Sequence, residues 1–519
     1  MTLSNKLYPA AYALWLALLL RVAWKINQEV HEPYMDEIFH VPQAQAYCRG
    51  EWTYWDGAIT TPPGLYLLPA ALAFLQRAVS RLPSRFDICS LDSLRFFNLA
   101  ILAALPHLYT SLLLAIRRST LSPPVEKKLR PTAPHEGRDS ARWEGIVIAL
   151  VPAVGWWGWL YYTDLGSVAT VLLSMNLSFE RRWLASSLLS VISLLFRQTN
   201  VIWIAFIAGV AVVRELRTVE STRKKKRKSQ LYDPLLRDAR FLDLILTPYS
   251  ILYLSLHHLS TLVPILLAYL PVFAGFLMFV KVNGGIVLGD KSNHVATIHV
   301  PQLYYFVAFS AAFLAPHLLE TAKIEKTLSS LFGTKRRIVS SLNVLVIMCW
   351  TIRHFTIAHP FLLADNRHFA FYLWRRILNV HPFARYILTP AYLFAGRLIY
   401  ESLTEAKTMR LSSLLLFAVS TVLVLVPTPL IEPRYYLTPF LILRLYCSPL
   451  FDASASRKKT SKYRARLVLE AVLYSIVQAT CVWLFLAKSF DWDFEVGRDG
   501  KGLDGRDERE LGKRQRFMW

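Results

Sequence analysis

Long apolar runs separated by short polar segments dominate the chain. Runs such as 338–350 and 411–426 hold no charged residue, whereas a helix on the surface of a soluble protein would show a polar face. About 20 consecutive apolar residues cross the hydrocarbon layer of a bilayer, where each backbone polar group needs an internal partner. The pattern therefore predicts an all-α integral membrane protein with about 13 spans.

The predicted spans follow the apolar runs and are joined by short turns or charged loops. They cover residues 10–26, 96–116, 145–162, 165–179, 183–196, 201–213, 259–280, 303–319, 338–355, 386–400, 411–426, 435–447 and 467–487. Two further apolar stretches, 64–79 and 241–256, are predicted to lie in the membrane interface. The first follows Pro62–Pro63, and a full span there would move the next basic loop to the opposite side of the membrane.

The positive charges decide the predicted topology. The net charge is +23, and much of the basic excess lies in blocks between apolar runs, including loops 117–143 and 214–240. Cytosolic loops of membrane proteins carry such an excess, so these blocks are assigned to the cytosol. The remaining loops, 27–95, 281–302, 356–376 and 427–434 with the tail 488–519, then face the other side. Nucleic-acid binding is not expected, because no motif for it accompanies the charge.

The non-cytosolic loops carry acids, histidines, arginines and aromatic residues together. Asp36 and Glu37 are adjacent where the first span ends, and a carboxylate there can act as a general base on a hydroxyl group. Trp52 and Trp55 offer flat apolar faces of the kind that pack on sugar rings. For Asp36–Glu37 alone, a solvated helix cap is the competing interpretation.

Seven motifs, in chain order, resemble one family. They are Glu32-Pro-Tyr-Met-Asp-Glu-Ile-Phe-His-Val-Pro-Gln-Ala-Gln45, Leu160-Tyr-Tyr-Thr-Asp164, Phe196-Arg-Gln-Thr-Asn200, Gly284-Gly-Ile-Val-Leu-Gly-Asp-Lys-Ser-Asn-His294, His359-Pro-Phe-Leu-Leu-Ala-Asp-Asn-Arg-His368, Glu432-Pro-Arg-Tyr-Tyr436 and Arg516-Phe-Met-Trp519. The resemblance is to the dolichyl-phosphate-glucose-dependent α-1,2-glucosyltransferases of the lipid-linked oligosaccharide pathway, members of the GT-C superfamily. It covers nearly the whole chain.

The resemblance implies a GT-C-type helical bundle in the endoplasmic reticulum membrane, with interfacial helices in the first luminal loop and a luminal active site. Residues 1–280 would form the catalytic module and residues 281–519 a C-terminal transmembrane module. The implied reaction is inverting: glucose moves from dolichyl-phosphate glucose to a diglucosylated dolichyl-diphosphate oligosaccharide. Besides these two lipids and the surrounding membrane lipids, no partner, cofactor or metal is expected, because basic side chains can neutralise the phosphate.

Site residues are assigned by their positions in the matching motifs. Asp36 is the predicted base, with Glu37 as the alternative base, as a residue that orients the acceptor, or as one that bonds a helix end. The predicted acceptor-binding residues are Tyr34, Trp52, Trp55, Asp56 and Asp164, and the predicted donor-phosphate-binding residues are Arg197, Lys291, His294, Arg367, His368 and Arg434. Arg197 has a competing interpretation as an anchor at a helix end.

Some questions stay open at the level of sequence. Cys48 and Cys89 fall in the same predicted luminal loop, as a disulfide or as two free thiols. A transporter or lipid flippase is an alternative function, although the charges collect mainly at luminal span ends rather than along a pathway through the membrane. A non-catalytic, channel-regulating membrane protein is a further alternative.

Overall fold

Helices account for most of the structure. A computed structural model of the protein describes residues 3–79, 87–120, 135–222, 231–291, 295–449, 457–491 and 514–519. The helices are α1 Leu3–Glu29, α2 Glu37–Arg49, α3 Gly64–Val79, α4 Leu91–Thr120, α5 His135–Ala149, α6 Pro152–Trp156, α7 Thr163–Phe179, α8 Trp183–Phe196, α9 Asn200–Thr222, α10 Asp243–His257, α11 Leu259–Asn283, α12 Gln302–Leu318, α13 Thr321–Phe332, α14 Lys335–Phe355, α15 Pro360–Ala364, α16 Phe369–Leu373, α17 Ala384–Ile387, α18 Thr389–Ala406, α19 Leu411–Leu425, α20 Leu437–Tyr446 and α21 Arg457–Ala487. A π-helical turn covers Trp374–Leu378 and a 3-10 turn covers Pro433–Tyr436.

Several of these helices are suited to a bilayer rather than to water. Five are long and apolar enough to cross a membrane: Leu7–Glu29, Leu91–Thr120, Leu259–Asn283, Lys335–Phe355 and Thr460–Ala487. They also expose large apolar side chains; on α11, for example, Leu267 is 70% exposed and Leu277 67%. Contiguous apolar surface of this kind is unfavourable in water and neutral in lipid. The chain is thus an all-α integral membrane protein, as predicted, while the count of about 13 spans stays a prediction.

The predicted span 145–162 is not one helix. Helix α5 ends at Ala149, and the short helix α6 covers Pro152–Trp156. From Trp157 to Tyr162 the chain has no helical structure. A proline has no N–H to donate and disfavours helical backbone in the residue before it, so the helix is interrupted here. The interruption brings the backbone of Tyr161 and Tyr162 to the polar site described below.

A short pair of strands lies at the end of the chain, beside the otherwise helical structure. Strand β1, Ser489–Phe490, follows the last helix directly and pairs antiparallel with β2, Gln515–Arg516. The strands are only two residues long, yet they return the C-terminus to the helix bundle.

A buried network of charges ties five helices together. Arg444 on α20 is fully buried and donates to Glu470 of α21 at 2.6 Å and to Glu144 of α5 at 3.0 Å. Arg117 of α4 donates to the other oxygen of Glu144 at 2.5 Å, and His317 of α12 contacts Glu470 at 2.8 Å. The expectation that charges collect mainly at luminal span ends does not hold for this network. Each helix supplies one of its ionisable side chains, so the network becomes visible only when the helices pack.

The first polar loop forms a small unit of its own. Helices α2 and α3 pack together around Tyr47 and Tyr66, and a disulfide joins Cys48 to Cys89 with the Cα atoms 6.6 Å apart. Of the two alternatives that the sequence left open for these cysteines, the structure contains the disulfide. Helix α3 begins at Gly64, where an added Cβ would lie 2.6 Å from the Leu195 carbonyl oxygen, so only glycine permits this contact with α8.

Candidate active site

Asp36 and Arg434 meet at the centre of a polar cluster. Asp36 immediately precedes α2, and its Oδ2 accepts from Arg434 Nη1 at 2.9 Å. Its backbone N–H donates to the Tyr162 hydroxyl at 3.1 Å. The preceding residue, Met35, has φ of +54°, a left-handed conformation that costs roughly 1 kcal/mol or more for a non-glycine residue. Backbone strain next to a half-open carboxylate is typical of a functional position.

The electrostatic surroundings keep Asp36 ionised. Burial acts to raise the pKa of Asp36, but the charges of Arg434 and His40 outweigh it, and the pKa is lowered below its ordinary value. The charge of His368 acts in the same direction. The side chain is still 36% exposed. Asp36 is therefore an accessible carboxylate that is deprotonated at neutral pH.

Arg434 is held by carboxylates and an aromatic ring. It lies on the 3-10 turn Pro433–Tyr436, and its Nε donates to Glu432 while its Nη1 donates to Asp36. Its guanidinium carbon lies 5.7 Å from the centre of the Tyr435 ring. Burial acts to lower the pKa of Arg434, but the charges of Glu432, Tyr435 and Asp36 raise it well above the usual value. Arg434 thus contributes a permanent positive charge to the site.

A second ion pair also lies near Tyr435. Asp164 is in the first turn of α7, Arg197 directly follows α8, and Arg197 Nη2 donates to Asp164 Oδ1 at 2.7 Å. The Arg197 guanidinium carbon is also 5.7 Å from the Tyr435 ring centre. Asp164 Oδ2 and Arg197 Nε are buried without a hydrogen-bond partner. Buried polar atoms normally have partners, so these two can receive polar groups of a ligand.

Glu37 is next to Asp36 in sequence but occupies a different environment. It is fully buried, and its two oxygens accept from Arg95 Nε at 2.9 Å and Arg95 Nη2 at 2.6 Å. They also accept from the backbone N–H groups of Tyr161 at 2.7 Å and Tyr34 at 3.1 Å. Four donors around a buried carboxylate describe a fixed structural support, which does not favour Glu37 as the alternative base.

The C-terminal strand closes the cluster. The Tyr34 hydroxyl donates to the Arg516 carbonyl at 2.6 Å and accepts from the Arg516 N–H at 2.8 Å. Met518 pairs with the segment around His368: its N–H donates to Arg367 O at 2.9 Å, and its carbonyl accepts from Phe369 N at 2.9 Å. The Tyr34 side chain, predicted to bind the acceptor, is instead buried and fastens the C-terminus.

Two predicted phosphate ligands, Arg367 and His368, contact the C-terminal segment. Arg367 is buried and donates to Asp365 at 2.7 and 2.9 Å and to Gln515 Oε1 at 3.0 Å. His368 Nδ1 lies 2.8 Å from a Trp519 oxygen. Of the two, His368 is the one whose charge acts on Asp36.

Lys291 and His294 are the remaining predicted phosphate ligands. Lys291 is exposed, and its Nζ donates to Asn283 O at 2.6 Å. Its loop packs on the first polar loop at Gly289, which has φ of +46° and would place a Cβ 2.2 Å from the Ile59 carbonyl oxygen. His294 lies outside the described residues.

The aromatic residues of the first loop divide into two groups. Trp55 packs edge-on against Tyr66 at 6.5 Å, and Tyr66 is the residue that bonds His40 in the cluster. Trp52 instead stacks on Phe74 at 5.5 Å, two helical turns further along α3 and about 12 Å from Tyr66 along the helix axis. The structure therefore places Trp55 near the site and Trp52 outside it.

Asp56 takes part in the turn of the first loop. Its Oδ1 accepts from Ala58 N at 2.9 Å, and its backbone N–H donates to Gln43 Oε1 at 2.9 Å. Asp56 also acts electrostatically on Tyr66.

Several residues of the cluster are absent from the predicted set, among them His40, Tyr66 and Tyr435. His40 is buried, its Nδ1 lies 2.6 Å from the Tyr66 hydroxyl, and burial lowers its pKa despite the nearby charge of Asp36. The sequence indicated His40 in part, because it is four residues after Asp36 and positions four apart in a helix share a face. Tyr435 gave no separate signal, since its role depends on Arg197 from a distant segment as well as on the neighbouring Arg434.

Taken together, the cluster joins Asp36, Asp164, Arg197, Arg434 and His368 from both predicted modules. Among the described ranges, no group of three or more His, Cys, Asp or Glu side chains is arranged to hold a metal ion. Fold and site define a class: an all-α integral membrane protein with carboxylates and guanidinium groups paired at one end of its helices.

Comparison with known proteins narrows this class. The chain belongs to the DIE2/ALG10 family, whose model matches residues 30–445. It is 35% identical over 498 residues to a rat protein, covering 95% of this chain and 94% of the relative. A human protein is 35% identical, with 90% and 92% covered, and an Arabidopsis thaliana protein is 33% identical, with 91% and 95% covered. All three are named "Dol-P-Glc:Glc(2)Man(9)GlcNAc(2)-PP-Dol alpha-1,2-glucosyltransferase". No solved structure gives a significant match.

Proposed function

We propose that the protein transfers glucose from dolichyl-phosphate glucose to the diglucosylated dolichyl-diphosphate oligosaccharide and forms the terminal α-1,2 linkage. The substrates are those in the names of relatives that match over nine tenths of the chain. The observation that carries the chemistry is the accessible, ionised Asp36 beside Arg434, in a cluster where five of the seven sequence motifs converge.

The reaction needs one base and one direct displacement. Asp36 takes the proton from the acceptor 2-hydroxyl while the hydroxyl oxygen attacks the anomeric carbon of glucose. The bond from that carbon to the phosphate oxygen breaks on the opposite face, and dolichyl phosphate leaves with the bonding electrons. A β-linked donor thereby gives an α-linked product. The lowered pKa of Asp36 keeps it in the form that accepts a proton.

The cations of the cluster stabilise the departing phosphate. The guanidinium carbons of Arg197 and Arg434 each lie 5.7 Å from the Tyr435 ring centre, and a guanidinium group binds phosphate oxygens in a planar, two-point geometry. Arg197 has a buried Nε without a partner, which a phosphate oxygen would satisfy. His368 adds a third basic group near Asp36. Fixed charges placed where negative charge develops need little reorganisation during the reaction.

The remaining cluster residues receive supporting roles. Asp164 Oδ2 is a buried acceptor that suits a second hydroxyl of the acceptor sugar. Glu37, saturated by four donors, fixes the backbone on both sides of the site rather than accepting a proton.

The proposed location is the endoplasmic reticulum membrane, with a multi-pass GT-C-type bundle and the site on the luminal face. The disulfide supports this side, because it joins Cys48 of α2, the helix next to the site, to Cys89 just before α4, and disulfides persist in oxidising compartments. Arg117 and Arg118, in the last turn of α4 and thus at the helix end away from the disulfide, agree with a cytosolic position there.

The experiment is Asp36→Asn in purified protein, assayed with dolichyl-phosphate glucose and the diglucosylated lipid-linked oligosaccharide. Loss of a general base reduces turnover by about 10² to 10⁴-fold. Asp92→Asn is the matched control, because Asp92 is exposed in the first turn of α4. Full activity of Asp36→Asn would exclude Asp36 as the base, and an inactive unmodified protein would exclude the glucosyltransferase itself.

A further inference from the structure

His40 is a buried side chain of the candidate active site to which the proposed reaction gives no role. It lies in α2, one helical turn after Asp36, and is 8% exposed. Its Nδ1 lies 2.6 Å from the Tyr66 hydroxyl. Among the described residues, the other ring nitrogen, Nε2, has no hydrogen-bond partner, and it is not one of the fully enclosed atoms. Buried polar groups normally have partners, so an unpaired nitrogen of this kind is suited to a ligand.

The Tyr66 hydroxyl decides which nitrogen of His40 carries the proton. Tyr66 is completely buried, burial raises its pKa well above the usual value, and the phenol therefore keeps its proton. A phenol has one hydrogen to donate, and among the described residues this hydroxyl contacts His40 Nδ1 alone. Burial also lowers the pKa of His40, so its ring is neutral, with one donor and one acceptor nitrogen. Because Nδ1 is the acceptor, the proton lies on Nε2.

Tyr66 is held in place by its neighbours. The Tyr161 hydroxyl donates to the backbone carbonyl of Leu65 at 2.7 Å and so fixes the first turn of α3. The Tyr47 ring packs edge-on against the Tyr66 ring, with the ring centres 5.8 Å apart. The Tyr66 hydroxyl is therefore a fixed donor, and its hydrogen bond fixes the orientation of the His40 ring.

Asp164 supplies an acceptor that matches the His40 donor. Its Oδ2 is buried without a partner. The charges of Asp36 and Asp164 both act on His40, so the three side chains lie together. His40 Nε2 and Asp164 Oδ2 are thus an unpaired donor and an unpaired acceptor next to the proposed base. A sugar hydroxyl accepts one hydrogen bond and donates another, and it can therefore satisfy both atoms.

We propose that His40 and Asp164 bind the 3-hydroxyl of the acceptor glucose, and that Tyr66 is a positioning residue that orients His40. This inference rests on the proposed function and names the subsite that holds its acceptor. Asp36 deprotonates the 2-hydroxyl, and the 3-hydroxyl is its one free neighbour on the ring, because C1 carries the glycosidic bond. Binding that neighbour fixes the ring with the 2-hydroxyl facing Asp36, which is the orientation that the displacement requires.

The test compares two acceptors in the presence of dolichyl-phosphate glucose: the diglucosylated lipid-linked oligosaccharide and an analogue whose terminal glucose lacks the 3-hydroxyl. The preference is the ratio of the two kcat/KM values. The unmodified protein should prefer the natural acceptor by about tenfold or more, because the analogue leaves one donor and one charged acceptor unpaired. His40→Asn removes the donor at Nε2, so it should reduce this preference by about three- to tenfold.

His40→Gln is the conservative counterpart of His40→Asn. Asparagine places its amide group near the position of Nδ1, where its oxygen can still accept from Tyr66, whereas glutamine places its amide nitrogen near the position of Nε2. His40→Gln should therefore unfold at a lower temperature but keep most of the preference. His40→Asn should show the opposite combination. A purely structural role for His40 would change the unfolding temperature and leave the preference unchanged in both variants.

Tyr66→Phe tests the positioning role, and Tyr47→Phe is its matched control. Tyr47 packs on the same ring, and its hydroxyl has no hydrogen bond among the described residues. Tyr66→Phe should reduce the preference for the natural acceptor, whereas Tyr47→Phe should not. The inference is overturned if the unmodified protein uses both acceptors equally well, or if His40→Asn keeps the full preference; the proposed function stands in either case. If the unmodified protein transfers no glucose at all, the proposed function is refuted, and this inference with it.

Discussion

Replacing each of the neighbouring carboxylates by its amide should have a different effect. Asp36→Asn should reduce turnover, whereas Glu37→Gln should reduce the stability of the fold. Glu37→Gln keeps the size and shape of the side chain but removes its charge. All four partners of Glu37 are donors: two nitrogens of Arg95 and the backbone N–H groups of Tyr161 and Tyr34. Whichever way the new amide is oriented, its NH₂ group faces two of these donors.

The expected magnitude follows from these contacts. Two buried hydrogen bonds are lost, and each unsatisfied buried group costs about 1–3 kcal/mol. Arg95, which is 2% exposed, also loses the charge that neutralises it. Breaking a buried pair by removing one partner destabilises a protein by about 3–5 kcal/mol. We expect a loss of that order for Glu37→Gln, because the two contributions overlap and do not simply add.

The assay is thermal unfolding of purified protein in detergent, followed beside turnover of the surviving folded fraction. Glu37→Gln should unfold at a clearly lower temperature, and the double variant Glu37→Gln with Arg95→Met should recover part of the loss. Glu51→Gln is the control, since Glu51 forms an exposed pair with Arg49 and should leave unfolding unchanged. If Glu37→Gln unfolded like the unmodified protein while turnover collapsed, the supporting role would be refuted and Glu37 would be a catalytic residue.

Two further predictions concern the surroundings of Asp36. Arg434→Gln removes a charge that lowers the pKa of Asp36, so the acid side of the pH–rate profile, where the base becomes protonated as pH falls, should move to higher pH; an unchanged profile would contradict the base assignment. Tyr34→Phe leaves the N–H and carbonyl of Arg516 without their partner, a loss of about 1–3 kcal/mol. The C-terminus should then be trimmed faster by carboxypeptidase, as followed by intact mass, and equal protection would show that the strand is held elsewhere.

The sequence predicted local features of the fold, such as the bounds of single helices, more accurately than contacts between distant segments. The helix Gly64–Val79 matches the predicted stretch 64–79 residue for residue, because its apolar run is bounded by prolines and a charged segment. By contrast, the predicted span 145–162 failed at Pro152, where apolar composition continues but helical backbone does not. Apolar composition predicts burial or lipid contact but not helix continuity: the helix is interrupted before Pro152, whereas α11 continues through Pro264 and Pro271.

The candidate site shows the same division. The motifs alone indicated Asp36, Asp164, Arg197 and Arg434, yet they ranked Glu37 as the alternative base and Tyr34 as an acceptor ligand. Both side chains are buried and bound within the protein, Glu37 by Arg95 and Tyr34 by the C-terminal strand. Adjacent residues at the start of a helix point in different directions, so sequence proximity could not separate the accessible carboxylate from the buried one.

The sequence by itself determined that the chain is helical, that it belongs in a membrane and which loops carry the polar chemistry. Those properties depend on local apolar runs and on the distribution of basic blocks, which act over one helix at a time. Only the tertiary structure decided the pairs: Asp36 with Arg434, 398 residues apart, and Arg444 with Glu144, 300 residues apart. Buried charges need an opposite charge within a few ångströms, and helix packing rather than sequence order supplies that partner.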